Sequence, residues 1–152
     1  MEYEIVLLKE KTIVGIAGRT YNQSPDMGKI IGGLWCRFYG DGIYDSIDGK
    51  INDKVLGIYT DYEGNEQDDY TVIVACEVSE VTESEQFTVG KIPAGRYAKF
   101  AVEGEEPAEV AKAWQKIWDM DDLPRSFICD FEEYQSSDMG RKKIHLYIGL
   151  RE

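Results

Sequence analysis

Hydrophobic and polar positions follow the same order twice along the chain. An apolar stretch from Ile5 to Leu8 precedes Ile13-Val14-Gly15-Ile16-Ala17-Gly18, and both runs have the length of strands. A helix signal comes next. Ser24 suits an N-cap, Pro25 the first helical position, and Asp26 complements the dipole. Met27, Ile30, Ile31, Leu34 and Phe38 then recur at helical spacing, and Gly40 can end the helix. Gly32 and Gly33 within it cost roughly 1 kcal/mol each against Ala, which a close approach of helix to sheet would offset. Asp48-Gly49 predicts a turn before the strand Val55-Leu56-Gly57-Ile58-Tyr59. A polar loop, Thr60 to Asp69, leads into the β-prone run Tyr70 to Val78.

The second half repeats this tempo. Phe87 to Val89 and Arg96 to Val102 read as strands around a Pro93-Ala94-Gly95 turn. Pro107 opens a helix with Val110, Trp114, Ile117 and Trp118 on one face, and Leu123-Pro124 stops it. Ser126 to Tyr134 and Ile144 to Leu150 read as the last strands, joined by a loop over Ser136 to Gly140. Each half is thus β–α–β–β. The expectation is one α+β domain over residues 1–152, built from pseudo-repeats 1–80 and 86–152 with no Ser- or Pro-rich linker between them.

Composition narrows the function classes. At 43% hydrophobic and 12% aromatic residues the chain can build a core, and disorder is disfavoured. A net charge of −12 repels nucleic acid and anionic membrane and favours cations, so neither DNA, RNA nor membrane is an expected partner. Cys36, Cys76 and Cys129 are widely spaced among apolar residues and read as reduced core thiols, which makes the cytoplasm the expected compartment. The opening MEYEIVLLKEK reads as neither a signal peptide nor a spanning helix.

Ordinary catalytic equipment is scarce. The single histidine, His145, lies in a predicted strand without a nucleophile signature, and no residues have metal-ligand spacing. No phosphate-cradling glycine motif occurs, so no metal and no cofactor is expected. The acidic run Asp61, Glu63, Glu66, Asp68, Asp69 does not fit a calcium loop and reads as a solvated tip, as does Arg141-Lys142-Lys143.

Two stretches carry more. Lys91-Ile92-Pro93-Ala94-Gly95-Arg96-Tyr97-Ala98-Lys99-Phe100 opens the second half, and Asp130-Phe131-Glu132-Glu133-Tyr134 lies on its next-to-last strand. With the doubled βαββ order, they resemble the GyrI-like family, the effector-binding domain of AraC-type and MerR-type multidrug regulators. The resemblance covers essentially the whole chain. It implies two pseudo-symmetric βαββ modules forming a curved antiparallel sheet, with two main helices and a central cleft for hydrophobic, often cationic, aromatic molecules. It carries the pocket carboxylate over to Glu132 and its neighbouring phenol to Tyr134. Glu133 stands where the family usually has an apolar residue, so which carboxylate faces the pocket stays open at this point.

Strand period bears on that choice. Glu132 and Tyr134 share one face and Phe131 and Glu133 the other. Phe131 is expected on the helix-covered side, which leaves Glu132 with Tyr134 facing the cleft. Tyr59, Trp35, Trp114, Trp118 and Tyr147 are further candidates to line it. Aligning Gly57-Ile58-Tyr59 with Glu132-Glu133-Tyr134 makes Tyr59 the counterpart of Tyr134. A carboxylate among aromatic rings suits a delocalised cation.

The expected function is therefore a stand-alone binding domain for such molecules, with no DNA-binding segment of its own, acting by sequestration or in transcription-related regulation through a partner. Two alternatives stand beside it. One is a hydrolase of electrophilic hydrophobic compounds with Glu132 as base and Tyr134 as acid. The other is a protein-interaction module, such as a modulator of DNA gyrase. The charge makes a direct prediction: with no basic helix to neutralise phosphates, the protein gives no fluorescence-anisotropy change with duplex DNA at low salt. Measurable affinity there would contradict the reading.

Overall fold

The structure, a computed structural model, describes residues 3–21, 27–51, 54–60, 62, 69–80, 87–104, 107–120, 123–134 and 142–151. The proposed helix start at Ser24-Pro25-Asp26, most of the acidic run and the 136–140 loop lie outside them. Each half holds one strand more than a βαββ unit, because its opening segment is two strands that pair elsewhere in the sheet and not with each other. The first half comprises β1 (Glu4–Leu8), β2 (Lys11–Thr20), α1 (Met27–Gly40), a short α2 (Ile43–Ser46), β3 (Val55–Thr60) and β4 (Tyr70–Glu77). The second comprises β5 (Thr88–Ile92), β6 (Gly95–Gly104), α3 (Pro107–Trp118), β7 (Arg125–Tyr134) and β8 (Lys142–Leu150).

All eight strands form one antiparallel sheet in the order β1-β6-β8-β7-β3-β4-β2-β5. Exchanging β1–β4 with β5–β8 reverses this order and leaves it unchanged, so the two halves are pseudo-symmetric about the central β3–β7 pair. Chain connectivity then forces curvature. β5 and β6 stand six places apart, roughly 29 Å in a flat sheet at about 4.8 Å per strand. Only Pro93-Ala94 joins Ile92 to Gly95, a link that reaches about 11 Å at most. Lys9-Glu10 sets the same limit between β1 and β2. The sheet must therefore curl until its ends approach.

The curl encloses one apolar cluster without any helix. Val6 and Leu8 of β1 and Ile92 of β5 meet Ile58, Phe131, Tyr97 and Tyr147 there. The other face carries the helices. Leu34 and Phe38 of α1 pack on Val14, Ile16, Val72 and Val74, while Ala113 and Ile117 of α3 pack on Phe100, Val102, Leu146 and Ile148. α1 thus covers β2 and β4, α3 covers β6 and β8, and the central β3–β7 pair lies between them. Phe131 occupies the helix-free face, against the expectation. Curling creates a second, fully apolar interior that takes the large ring, and Glu132 is turned toward the helices instead.

Two further expectations change. Cys76 and Cys129 are buried, but Cys36 is exposed on the outer side of α1. A Cβ added at Gly32 or Gly33 would meet nothing within 4 Å, so neither glycine serves a close approach. Gly15 does. Its Cβ would run into the Val74 carbonyl oxygen and lie 2.6 Å from the Cα of Ala75, across the β2–β4 pairing. Gly15→Ala is expected to lower unfolding free energy by about 1–3 kcal/mol or more through overpacking. Gly32→Ala, in an exposed helical site, should raise it by about 0.5–1 kcal/mol. Urea unfolding at unchanged slope checks both signs.

Candidate functional site

Gly57 and Glu132 are register partners in the β3–β7 pair. The strand pairings of the two halves coincide when Gly57 is equated with Glu132 and Tyr59 with Tyr134. The pseudo-twofold axis therefore passes between Gly57 and Glu132. Only one of these positions carries a side chain. A Cβ on Gly57 would lie 3.1 Å from Glu132 Oε2 and 3.3 Å from Trp35 Cζ2, so the glycine is the space into which carboxylate and indole fit.

Glu132 is 3% exposed. Its Oε1 accepts hydrogen bonds from the Trp114 indole N–H at 2.7 Å and the Tyr59 hydroxyl at 3.1 Å. Its Oε2 accepts one from the Tyr134 hydroxyl at 2.9 Å. Burial pushes this carboxyl above its ordinary range, and the bonds from Trp114, Tyr134 and Tyr59 oppose the shift without cancelling it. The phenols answer in kind. Burial first, then the Glu132 charge, drives Tyr59 and Tyr134 far above the usual phenol range, and Tyr70 is pushed up to about 12.

The rings form two matched walls. Trp35 of α1 meets Tyr134 edge-on at 4.9 Å and 73°, and Trp114 of α3 meets Tyr59 at 5.4 Å and 74°. Trp114 is tied to the carboxylate by its N–H, whereas Trp35 packs against the apolar cluster under α1 and against neighbouring rings. All four rings are only partly buried, so the walls reach solvent while the floor does not.

Among the residues singled out from sequence, Glu132, Tyr134, Tyr59, Trp114 and Trp35 thus converge. Trp118 lies one turn beyond Trp114, with ring centres 6.4 Å apart. Tyr147 does not join them. It stacks on Phe131 at 4.6 Å and 12° inside the helix-free cluster, because residues 131 and 147 face each other across β7 and β8. Glu133 is on that side too, 3.7 Å from Lys54 Nζ and 3.9 Å from His145 Nδ1. His145 is partly buried there, and its pKa is lowered by burial and by the charge of Lys99. Neither glutamate lies on a sheet edge, since β7 is central.

Sequence reasoning missed a second buried carboxylate. Asp130, two residues before Glu132, is 0% exposed. Its Oδ2 is 2.8 Å from Arg125 Nη2 and accepts from the Tyr62 hydroxyl at 2.7 Å, and its Oδ1 accepts from the Gly149 backbone N–H at 2.8 Å. A register shift between Arg125 and Asp130 brings the pair together, and regular strand spacing gave no sign of it. Among the described residues no group of His, Cys, Asp and Glu is placed to hold a metal ion, and no helix is long and apolar enough to cross a membrane.

Comparison with known proteins identifies the family and the fold. A family model described as Cass2, integron-associated effector binding protein, matches residues 4–150. The integron cassette protein VCH_CASS2 of Vibrio cholerae is 28% identical, with a TM-score of 0.79 over 98% of this chain and 95% of that one. SAV2435, solved bound to tetraphenylphosphonium, shares the fold at 21% identity and a TM-score of 0.77, over 97% and 94% of the two chains. The C-terminal domain of EcmrR shares it at 13% identity and a TM-score of 0.59, over 100% and 99%. No curated protein matches the sequence significantly. The chain belongs to the integron-associated effector-binding proteins, within the GyrI-like group of ligand-binding domains.

Proposed function

We propose that this domain binds hydrophobic small molecules carrying a delocalised positive charge, seated over Glu132 between α1 and α3. One contrast carries the reading. Asp130 has a guanidinium at 2.8 Å, whereas Glu132, equally buried on the same strand, has only neutral donors among the described residues. A buried carboxylate without a counter-charge is costly, and a cationic ligand supplies what is missing. The faces of Trp35, Tyr59, Trp114 and Tyr134 would add cation–π attraction, about 0.5–2 kcal/mol for a well-placed ring. That SAV2435 holds tetraphenylphosphonium on the same fold supports this choice of ligand.

Methyltriphenylphosphonium and triphenylphosphine oxide have nearly the same shape and differ in charge, so calorimetric titration with both isolates the carboxylate. Glu132→Gln should weaken the cation by about 1–3 kcal/mol, roughly five- to a hundred-fold, on the scale of a charge-assisted contact. The neutral oxide should lose much less. Glu133→Gln, facing the opposite side, should alter neither. Equal losses for cation and oxide, or for the two variants, would remove Glu132 as the cation's partner.

A pH dependence follows from the raised carboxyl. The folded protein keeps a proton on Glu132 at a pH where the unfolded chain, near 4.5, has released it. This contribution to stability is present in acid and is lost as pH rises through the folded value. The cation needs the ionised form. Its affinity should therefore increase with pH, through an inflection above 4.5, and then level off. The neutral oxide, and the cation with Glu132→Gln, should show no such inflection. A cation affinity that does not change between pH 4 and 8, roughly the range in which a perturbed carboxyl titrates, would contradict the assignment.

A further inference from the structure

We infer that the cleft selects cations whose charge lies at the centre of the molecule with an aromatic arm on either side, over cations charged at one end. This rests on the reading that a cation seats over Glu132 and adds the shape of that cation. The negative group is single and stands at the pseudo-axis, opposite Gly57. The rings come in pairs about the same axis. Tyr59 with Trp114 forms one wall and Tyr134 with Trp35 the other, at matching ring angles of 74° and 73°.

The pairing extends outward. One turn beyond Trp35, α1 carries Tyr39, with ring centres 6.3 Å apart at 22°. One turn beyond Trp114, α3 carries Trp118, at 6.4 Å and 37°. Tyr39 is 51% exposed and Trp118 partly so, which leaves both able to receive a ligand ring. A ligand charged at one end can place its charge over Glu132 and its rings along one helix only. It leaves the other pair of rings empty. A centrally charged ligand with two arms fills both.

Dibenzyldimethylammonium and (4-phenylbenzyl)trimethylammonium test this directly. They are constitutional isomers, each with two benzene rings and a permanent charge, central in the first and terminal to a biphenyl in the second. The first should bind the unaltered protein on the order of tenfold more tightly, as befits a second set of ring contacts. The outer rings supply an independent readout. Tyr39→Ala and Trp118→Leu should each weaken the central isomer several-fold, because each removes an arm's contact. The terminal isomer can lie along either helix, so a single variant removes one of two orientations and costs it about twofold at most. Only the double variant should weaken it further.

Thermal melts of the variants separate lost contacts from lost folding, and the isomer ratio on the unaltered protein needs no variant at all. Equal affinities for the isomers, or tighter binding of the terminal one, would overturn the inference and leave the cation reading standing. If neither isomer nor methyltriphenylphosphonium binds, the cation reading itself fails and this inference falls with it.

Discussion

A carboxylate buried at the centre of a sheet, with hydroxyl and indole donors but no cation among the described residues, constrains everything around it. Removing such a group from water costs several kcal/mol even after relaxation. Three hydrogen bonds to Glu132 recover part of that, yet its proton affinity stays raised. The pseudo-symmetry explains why there is one such group. An acidic side chain at position 57 would stand directly across β3–β7 from Glu132, where like charges repel and the Cβ alone would already crowd Oε2 at 3.1 Å. Gly57 removes the conflict and leaves a single charge shared by both halves.

The curled sheet makes this burial possible. Two short links, Lys9-Glu10 and Pro93-Ala94, draw opposite ends of the strand order together and close an apolar interior on the helix-free face. That interior holds Phe131, Tyr97 and Tyr147, while Val55 of β3 joins the cluster under α1 on the other face. α1 and α3 are anchored to the outer strands on either side. The floor at Gly57 and Glu132 is then lined by rings from both helices, which pack outward against the two helix-side clusters.

The sequence carried the tempo of strands and helices and most of the aromatic set, because alternation, helical spacing and the PAGRYAKF and FEEY stretches are local signals. Equating Tyr59 with Tyr134 by sequence agrees with the strand register. What sequence could not supply depended on curvature. Period-two alternation separates Glu132 from Phe131 but cannot say which face the helices cover. Assigning Phe131 to the helices followed a rule for sheets with a single apolar face, and a curled sheet has two. Tyr147 is a candidate for the cleft as an aromatic alone, and its register partner Phe131 puts it on the enclosed side. Gly57 offered a legible clue, a glycine inside a strongly apolar strand. The Arg125–Asp130 pair offered none, because an irregularity in β7 creates it.

The geometry also weighs on turnover at this site. A general base needs a lone pair aimed at a water or a substrate proton. Glu132 Oε1 already accepts from Trp114 and Tyr59, and Oε2 from Tyr134, which leaves one acceptor position, on Oε2. A general acid must release its proton near working pH, but burial and the adjacent negative charge hold the Tyr134 proton far more tightly than in an ordinary phenol. The residues that would serve as base and acid are each other's hydrogen-bond partners. Freeing either would first break a charge-assisted bond worth about 1.5–3 kcal/mol. A permanent cation needs no such rearrangement. On the reading proposed above, it would gain from the carboxylate's field and the ring faces while the three hydrogen bonds stay in place.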